Sequence, residues 1–363
     1  MKLKNEKIIS LVVFVCIVLI FCIYVFNINN KKIIYDKNKK CSYVDKGKNN
    51  KPSKEVIPID KWIDTPTYDG SNEVTHPKVL YFENGFNGYK YWMVNTPYPG
   101  NDIFLENPSI IVSNDGINFT EPDGIKNPIS GYPSEYRSDI YYSDPFMLFN
   151  KDHFELFYRK TKSVHDGKYI KNGYNYLYYT ESADGINWTT PKLIVDNNFK
   201  ERYMSPSVIK TLRNYKIWYT NYDCKMKYME STDLSSYTKP LDVKIKNFNG
   251  GVWHSEIQYH DGIYKMIFIT RNNYLYYTES IDGVNFNEPK LIDTKTSKNG
   301  YIYKTTYIFK DNSVELYIPY KNYGKWEMRY KLMTKTDFYN QINSKWLIND
   351  KYYYILKLGD DNE

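Results

Sequence analysis

The stretch Ser280-Ile-Asp-Gly-Val-Asn-Phe-Asn-Glu-Pro289 decides the fold, because related stretches begin at residues 113, 182 and 231. They share the pattern Ser-x-Asp-Gly-x-x-aromatic-x-x-Pro, with Leu234 in place of the glycine in the third copy. Asp-Gly favours a tight hairpin turn, since glycine adopts a positive φ without strain. Hairpins that recur at intervals of roughly 50 residues or more are typical of propeller blades rather than helical solenoids.

Two sets of short strands precede these hairpins. Five segments alternate polar and apolar residues, as half-buried strands do: 89–94, 154–158, 215–219, 264–268 and 314–318. Ahead of each lies one more strand, and these are the innermost ones: 75–79, 143–147, 204–208, 253–257 and 303–307. Three innermost strands carry proline near their start, which suits the mouth of a central channel. The sequence therefore predicts an all-β, five-bladed β-propeller, with one short helix at 337–342.

The N-terminus contains an apolar run, residues 8–26, interrupted only by Ser10. A helix of this length approaches the thickness of a bilayer core, and its bulky end favours an uncleaved anchor over a signal peptide. The propeller is thus expected to follow one N-terminal transmembrane helix. The predicted segments are an N-terminal flank (1–7), a transmembrane signal-anchor (8–28), a polar tether (29–60), the propeller (61–335) and a C-terminal segment closing or packing on it (336–363).

The composition limits the partners. Forty tyrosines supply rings that stack on sugars, although a biased genome composition explains part of the excess. The charge of +7 comes from scattered lysines, and no nucleic-acid-binding motif is present, so no nucleic-acid partner is expected. The four cysteines form no metal-binding or disulfide pattern. No metal site or cofactor is therefore predicted, and a calcium ion in the channel is left open.

The segment Ser143-Asp144-Pro145-Phe146, in register with the other innermost strands and combined with the hairpins, resembles the five-bladed-propeller glycosidases. Glycoside hydrolase family 43 and the related sucrose- and fructan-active families are the nearest group, over about residues 62–335. The resemblance implies three carboxylates around the funnel: a base or nucleophile, an orienting aspartate and a general acid. Such enzymes hold an acid and a base of different pKa on either side of the glycosidic bond.

Of this carboxylate set, Asp144 alone matches directly, because the aligned residues are His76 in the first blade and Ser205 in the third. Glu256 lies two residues after His254, on the same face of its strand, and is the expected acid. His76 and His254 are candidate bases near neutral pH. The predicted catalytic residues are therefore Asp144, Glu256, His76 and His254. Structural alternatives are a turn cap for Asp144 and a core hydrogen bond for His254.

Further residues at the predicted mouth are candidates for binding the substrate. Lys304 would neutralise a carboxylate or hold an acidic sugar, and Trp253 and Tyr303 would stack on sugar rings. Trp92 and Trp218, on second strands, are expected to pack between blades. The predicted substrate-binding set is Ser205, Lys304, Trp253, Tyr303, Glu106 and Arg137.

These observations predict a membrane-anchored, extracytoplasmic glycoside hydrolase-like protein that acts on polysaccharide or oligosaccharide. A non-catalytic glycan-binding propeller is the alternative that His76 and Ser205 favour, and a scaffold for envelope assembly is a third possibility. Lysines flank the apolar run on both sides, and the charge rule alone would place the propeller in the cytoplasm. The resemblance to proteins that meet extracellular glycans favours the outside.

Overall fold

The computed structural model describes residues 56–131, 139–166, 169–196, 201–294 and 300–343. Five antiparallel blades surround a central channel, which confirms the predicted five-bladed β-propeller. The innermost strands of successive blades lie against one another around this channel. Each blade begins at the channel and adds its strands outward in chain order, except that the outermost strand of the last blade comes from the start of the propeller. The start of every innermost strand therefore lies at the same end of the channel. We call that end the mouth.

The blades consist of the following strands. Strand β1 (Ile59–Ile63) belongs to the last blade. Blade 1 contains β2 (Val74–Phe86), β3 (Tyr89–Pro97) and β4 (Ser109–Ser113). Blade 2 contains β5 (Ile140–Asn150), β6 (His153–Asp166), β7 (Tyr169–Ser182) and β8 (Lys192–Val195). Blade 3 contains β9 (Met204–Lys210), β10 (Tyr215–Thr220), β11 (Met226–Ser231) and β12 (Leu241–Asp242).

The remaining elements complete the ring. The short strands β13 (Lys244–Ile245) and β17 (Asn285–Phe286) form a parallel pair that joins blades 3 and 4. Blade 4 contains β14 (His254–His260), β15 (Ile263–Ile269), β16 (Tyr274–Ser280) and β18 (Lys290–Thr294). Blade 5 contains β19 (Tyr301–Ile302), β20 (Thr306–Phe309), β21 (Ser313–Asn322) and β22 (Lys325–Thr334), with helix α1 (Lys335–Asn343) after it. The short helix predicted from the sequence is thus confirmed.

The N-terminal strand closes the ring. Strand β1 pairs antiparallel with β22 and so becomes the outer strand of blade 5. Arg329 of β22 donates to both carboxylate oxygens of Asp60, at 2.8 and 2.7 Å, and Ile63 is buried against the blade. Strand β1 begins two residues before residue 61, where the propeller was predicted to start. The pairing of β1 leaves no local signal in the sequence, because its partner lies about 270 residues away.

The Asp-Gly hairpins pack each blade onto the preceding one. A Cβ at Gly283 of blade 4 would lie 2.9 Å from the Trp218 ring of blade 3, and one at Gly185 would overlap the ring of Trp92. In the copy without glycine, Leu234 takes the same positive φ (62°) and buries its own side chain. Trp92 and Trp218 are fully buried between blades, as predicted. The repeat thus specifies contacts between blades as well as turns.

The predicted signal-anchor at 8–28 lies outside the described residues, as does most of the tether. Within the residues that the structure describes, no helix has the length and apolar character needed to span a membrane.

Candidate active site

The innermost strands of the first three blades are each interrupted near the mouth by a β-bulge. His76, Asp144 and Ser205 have φ values of 51°, 53° and 49°, and strand pairing skips these positions. Each precedes a proline, which donates no hydrogen bond to the sheet. This left-handed conformation costs about 1–2 kcal/mol for a residue with a side chain. Bulges next to active sites redirect side chains, and here they direct all three into the channel.

His76, Asp144, Ser205 and His254 meet at one point although they come from four blades. Oδ1 of Asp144 lies 3.4 Å from Nε2 of His76 and 3.2 Å from Nδ1 of His254. The hydroxyl of Ser205 lies 2.8 Å from Nδ1 of His254 and 3.4 Å from Oδ1 of Asp144. All four side chains are buried. The structure therefore brings together four of the residues predicted from the aligned innermost strands.

Asp144 is held as a charged carboxylate. Burial opposes its charge, but the Arg159 guanidinium outweighs that penalty and holds its pKa well below the usual value. Arg159 Nε and Nη2 lie 2.9 and 2.8 Å from Oδ2, which leaves Oδ1 facing the imidazoles. The remaining donors of Arg159 bond to Ser143, Thr161 and Asn175. This network fixes the orientation of the carboxylate.

The two histidines are held neutral. Burial lowers the pKa of His76 well below its usual value and also lowers that of His254, and in both cases it outweighs the attraction of Asp144. Nε2 of each ring is buried and has no hydrogen-bond partner. Buried polar atoms without a partner are rare and call for a physical explanation. A neutral imidazole nitrogen of this kind is a ligand atom for a metal ion.

His76, Asp144 and His254 have the composition of a metal site. One potential ligand atom from each residue lies within 4.8 Å of the others. Two imidazoles and one carboxylate are a common donor set for divalent transition metals. The spacing of residues along the chain predicted no metal site, because the three ligands come from three blades and therefore have no local sequence motif. They lie close together because the innermost strands of the blades surround one channel.

Glu106 lies beside this cluster, and its pKa is shifted in the opposite direction from that of Asp144. It follows the short 3₁₀ turn Ile103–Leu105, and its Oε1 lies 3.7 Å from Nδ1 of His76. Burial and the charge of Asp144 raise its pKa well above the usual value. The sequence predicted Glu106 as a substrate-binding residue. Its raised pKa also suits a group that exchanges a proton during a reaction.

Aromatic side chains form one wall of the mouth. The Tyr303 ring lies 4.5 Å from the His254 ring and 4.9 Å from both His76 and Trp253. Tyr98 and Trp326 extend this wall, with ring centres 6.3 and 5.3 Å from Tyr303. Trp253 and Tyr303 were among the predicted substrate-binding residues. Tyr98 and Trp326 were not, because they belong to loop and outer-strand segments that the innermost-strand alignment does not cover.

Glu256 and Lys304 lie in the channel but do not join the cluster. Glu256, the predicted general acid, is fully buried, and its Oε1 accepts a hydrogen bond from Lys78 Nζ at 2.8 Å in an ion pair. Lys304 precedes β20 rather than lying within it and donates to the Pro145 carbonyl at 2.8 Å. Burial lowers its pKa to about 8. Arg137 lies outside the described residues.

Comparisons with known proteins found one curated relative and several solved structures of similar fold. No protein-family model matches the sequence. A curated A type blood N-acetyl-α-D-galactosamine deacetylase from Flavonifractor plautii is 40% identical over 82 residues, which are 23% of this chain and 10% of that protein. The matched segment therefore spans about a tenth of the relative's length.

Solved structures agree on the architecture. An N-acetylgalactosamine deacetylase from F. plautii, in complex with blood group B trisaccharide, has a TM-score of 0.66 at 19% identity and covers 79% of this chain and 97% of its own. The family 43 glycoside hydrolase protein BlXynB from Bacillus licheniformis has a TM-score of 0.53 at 11% identity, covering 76% of this chain and 56% of its own. The glycoside hydrolase-like propeller fold predicted from the sequence is thus confirmed.

Proposed function

We propose that this protein is a metal-dependent hydrolase that removes the N-acetyl group from an amino sugar of a glycan bound at the mouth. The observation that supports the proposal most directly is the meeting of His76, Asp144 and His254 beside Glu106. The deacetylase relative supports the reaction type, and the neighbour in complex with a trisaccharide supports the substrate class.

The cluster His76, Asp144 and His254 would hold one divalent cation. When bound, such an ion polarises a carbonyl oxygen and makes water a stronger nucleophile near neutral pH. The buried Nε2 atoms without partners and the charged Asp144 fit this group. Arg159 and Ser205 keep Asp144 and His254 oriented, as residues behind metal ligands commonly do.

Glu106 supplies the proton transfers. Its raised pKa lets the carboxylate take a proton from the attacking water and then, as an acid, give it to the nitrogen of the leaving amine. The new C–O bond and the broken C–N bond produce acetate and a free amino sugar. Trp253 and Tyr303 hold the sugar ring by stacking.

A glycosidase is the second candidate, favoured by the opposite pKa shifts of Glu106 and Asp144. Pairs of carboxyl groups whose pKa values are driven apart serve as acid and base in glycosidases. In that case Glu106 would be the acid and Asp144 the base. The involvement of Asp144 in the Arg159 network and the two neutral histidines fit deacetylation better.

The two reactions leave different products. The purified protein, treated with chelator and then with Zn²⁺, Mn²⁺ or Co²⁺, should release acetate from N-acetylgalactosamine- or N-acetylglucosamine-containing oligosaccharides without creating new reducing ends. Asp144→Asn should abolish this release, and Arg213→Ala, on a distant hairpin, should not affect it. New reducing ends without acetate would establish the glycosidase, and binding without either product would establish a non-catalytic glycan-binding propeller.

We further propose that the chain is anchored in a membrane through residues 8–28 with the propeller outside the cell. The apolar run and the likeness to proteins that act on glycans support this orientation. Intact cells treated with protease should lose the propeller while cytoplasmic proteins survive. Protection of the propeller until lysis would reverse the orientation, and recovery in the aqueous fraction would exclude the anchor.

A further inference from the structure

A groove on the mouth side, between blades 3 and 4, continues the candidate active site outward. Its volume is about 250 Å³, and its lining includes Cys224, Phe248, Gly251, Arg271 and Asn272. The loops that form it follow β10 and β15, whose ends pair with the mouth ends of β9 and β14. The groove therefore opens on the same face as the metal-type cluster.

Trp253 connects the groove to the cluster. Its ring lies 4.9 Å from the His254 ring, and the Arg271 guanidinium lies 6.0 Å from its centre. Arg271 also lines the groove. A sugar in the mouth and a second sugar in the groove would consequently both lie near one aromatic ring. This spacing fits adjacent residues of an oligosaccharide.

Two segments that line the groove pack closely against each other. A Cβ at Gly251 would lie 2.7 Å from the Cβ of Cys224, so a side chain at this position would force the wall to move. The Phe248 ring and the exposed Asn272 add the combination of apolar surface and polar groups that sugars require.

The groove contains a positive charge without an acidic partner. Asp144 pairs with Arg159 and Glu256 with Lys78, so neither of these buried carboxylates neutralises Arg271. Among the residues that the structure describes, the exposed Arg271 has no carboxylate partner. A charged cleft attracts ligands of the opposite charge, so the groove favours an anionic ligand.

We propose that the substrate is an acidic oligosaccharide, with the N-acetylated sugar in the mouth and a neighbouring carboxylate-bearing sugar in the groove, where Arg271 binds the carboxylate. This inference names the substrate class of the proposed deacetylase and therefore rests on that function. The planar fork of an arginine matches a carboxylate and forms two charge-assisted hydrogen bonds with it.

Binding measurements test the groove independently of catalysis. Tetrasaccharides of hyaluronan and unsulfated chondroitin contain N-acetylhexosamine and glucuronate, and the same molecules with carboxylates reduced to alcohols are neutral controls. Calorimetry uses the full chain carrying Glu106→Gln, which needs no turnover. At least one acidic tetrasaccharide should bind about tenfold more tightly than its reduced form, as expected for a hydrogen bond to a charged group.

Variants test whether Arg271 is responsible for the preference for acidic tetrasaccharides. Adding Arg271→Ala should remove the tighter binding of the acidic tetrasaccharide and change the affinity for the reduced tetrasaccharide by no more than about twofold. Arg213→Ala should preserve both affinities. Filling the groove with Asn272→Trp should weaken the binding of tetrasaccharides more than the binding of an N-acetylhexosamine monosaccharide. Equal binding of acidic and reduced forms, or a preference that survives Arg271→Ala, would overturn the inference.

The two proposals fail in different ways. Acetate release from neutral glycans, without any preference for acidic ones, would keep the deacetylase and reject the acidic subsite. An Arg271-dependent preference in a wild-type protein that releases no acetate would support the subsite and reject the deacetylase.

Discussion

At the scale of single residues, two carboxyl groups near His76 have opposite properties. Asp144 stays charged because Arg159 outweighs its burial, whereas burial and the charge of Asp144 make Glu106 hold its proton more strongly. One group is thereby suited to bind a cation and the other to exchange a proton. Neither property belongs to the residue type, because both come from the burial and the neighbours of each carboxyl group.

Substituting Glu106 should separate catalysis from metal binding. Glu106→Gln keeps the shape of the side chain but cannot take a proton, so acetate release should fall by about 100-fold or more. Metal content, measured by mass spectrometry, should stay unchanged because Glu106 is not one of the three ligands. Asp144→Asn should lose the metal. Full activity of Glu106→Gln would remove it from the mechanism.

His260 should make the protein less stable in mild acid. Burial, together with Lys78 and Lys265, lowers its pKa from 6.5 to about 4. Between these values the unfolded chain binds a proton that the folded chain does not, so the free energy of unfolding falls as the pH falls through this window. Urea unfolding at pH 7 and pH 5 measures the decrease. His260→Gln should show a smaller decrease, and an identical one would contradict the assignment.

The sequence predicted part of the site for a clear physical reason. The repeated polar residue before proline aligned His76, Asp144 and Ser205, and the bulges confirm that these positions are equivalent. The role of Glu256 was not predictable in the same way, since its partner Lys78 reaches it from another blade. Likewise, the metal-type cluster depends on distances across the channel that no spacing along the chain records.

At the scale of elements, the Asp-Gly hairpin combines a turn with a contact between blades. In the last copy, Oδ1 of Asp282 accepts from the backbone N–H groups of Val284 and Asn285, at 2.8 and 2.7 Å. The glycine then lies directly against an aromatic ring of the preceding blade. Leu234 shows that the turn tolerates a side chain where the neighbouring blade leaves room for it.

Two glycines test this contact. Gly185 and Gly262 have similar φ values, 78° and 81°, but only Gly185 lies against a ring, that of Trp92. Gly262→Ala should cost about 1–2 kcal/mol of unfolding free energy through its backbone conformation. Gly185→Ala should cost about 1–3 kcal/mol more because it also overpacks the interface. Equal losses in chemical denaturation would show that the ring contact is unimportant.

At the scale of the whole molecule, stability depends on closing the ring. Blade 5 takes its outer strand from the N-terminal end of the domain, so the first and last blades are joined by backbone hydrogen bonds as well as side chains. The sequence predicted five blades because each repeats a local pattern. It did not predict β1, since five residues paired across the domain have no repeat to align with.

The buried end of β1 should be sensitive to substitution. Ile63 is 8% exposed and packs in the core between blades 5 and 1. Ile63→Asp should lower the free energy of unfolding by about 3–5 kcal/mol, because it places an unpaired charge in that core. Lys61→Asp, at an exposed position of the same strand, should change it by about 0.5 kcal/mol or less. Similar effects of the two variants would indicate that the closure contributes little.

The closing strand also sets the order of assembly during biosynthesis. Because β1 leaves the ribosome before any blade and its partner β22 comes last, the earliest-made strand has to wait while four blades form. Domains fold largely as units, and such distant pairings are slow. An emerging chain of this protein therefore exposes a solitary strand until β22 has been made, and a chaperone or the translocation machinery has that interval in which to bind it.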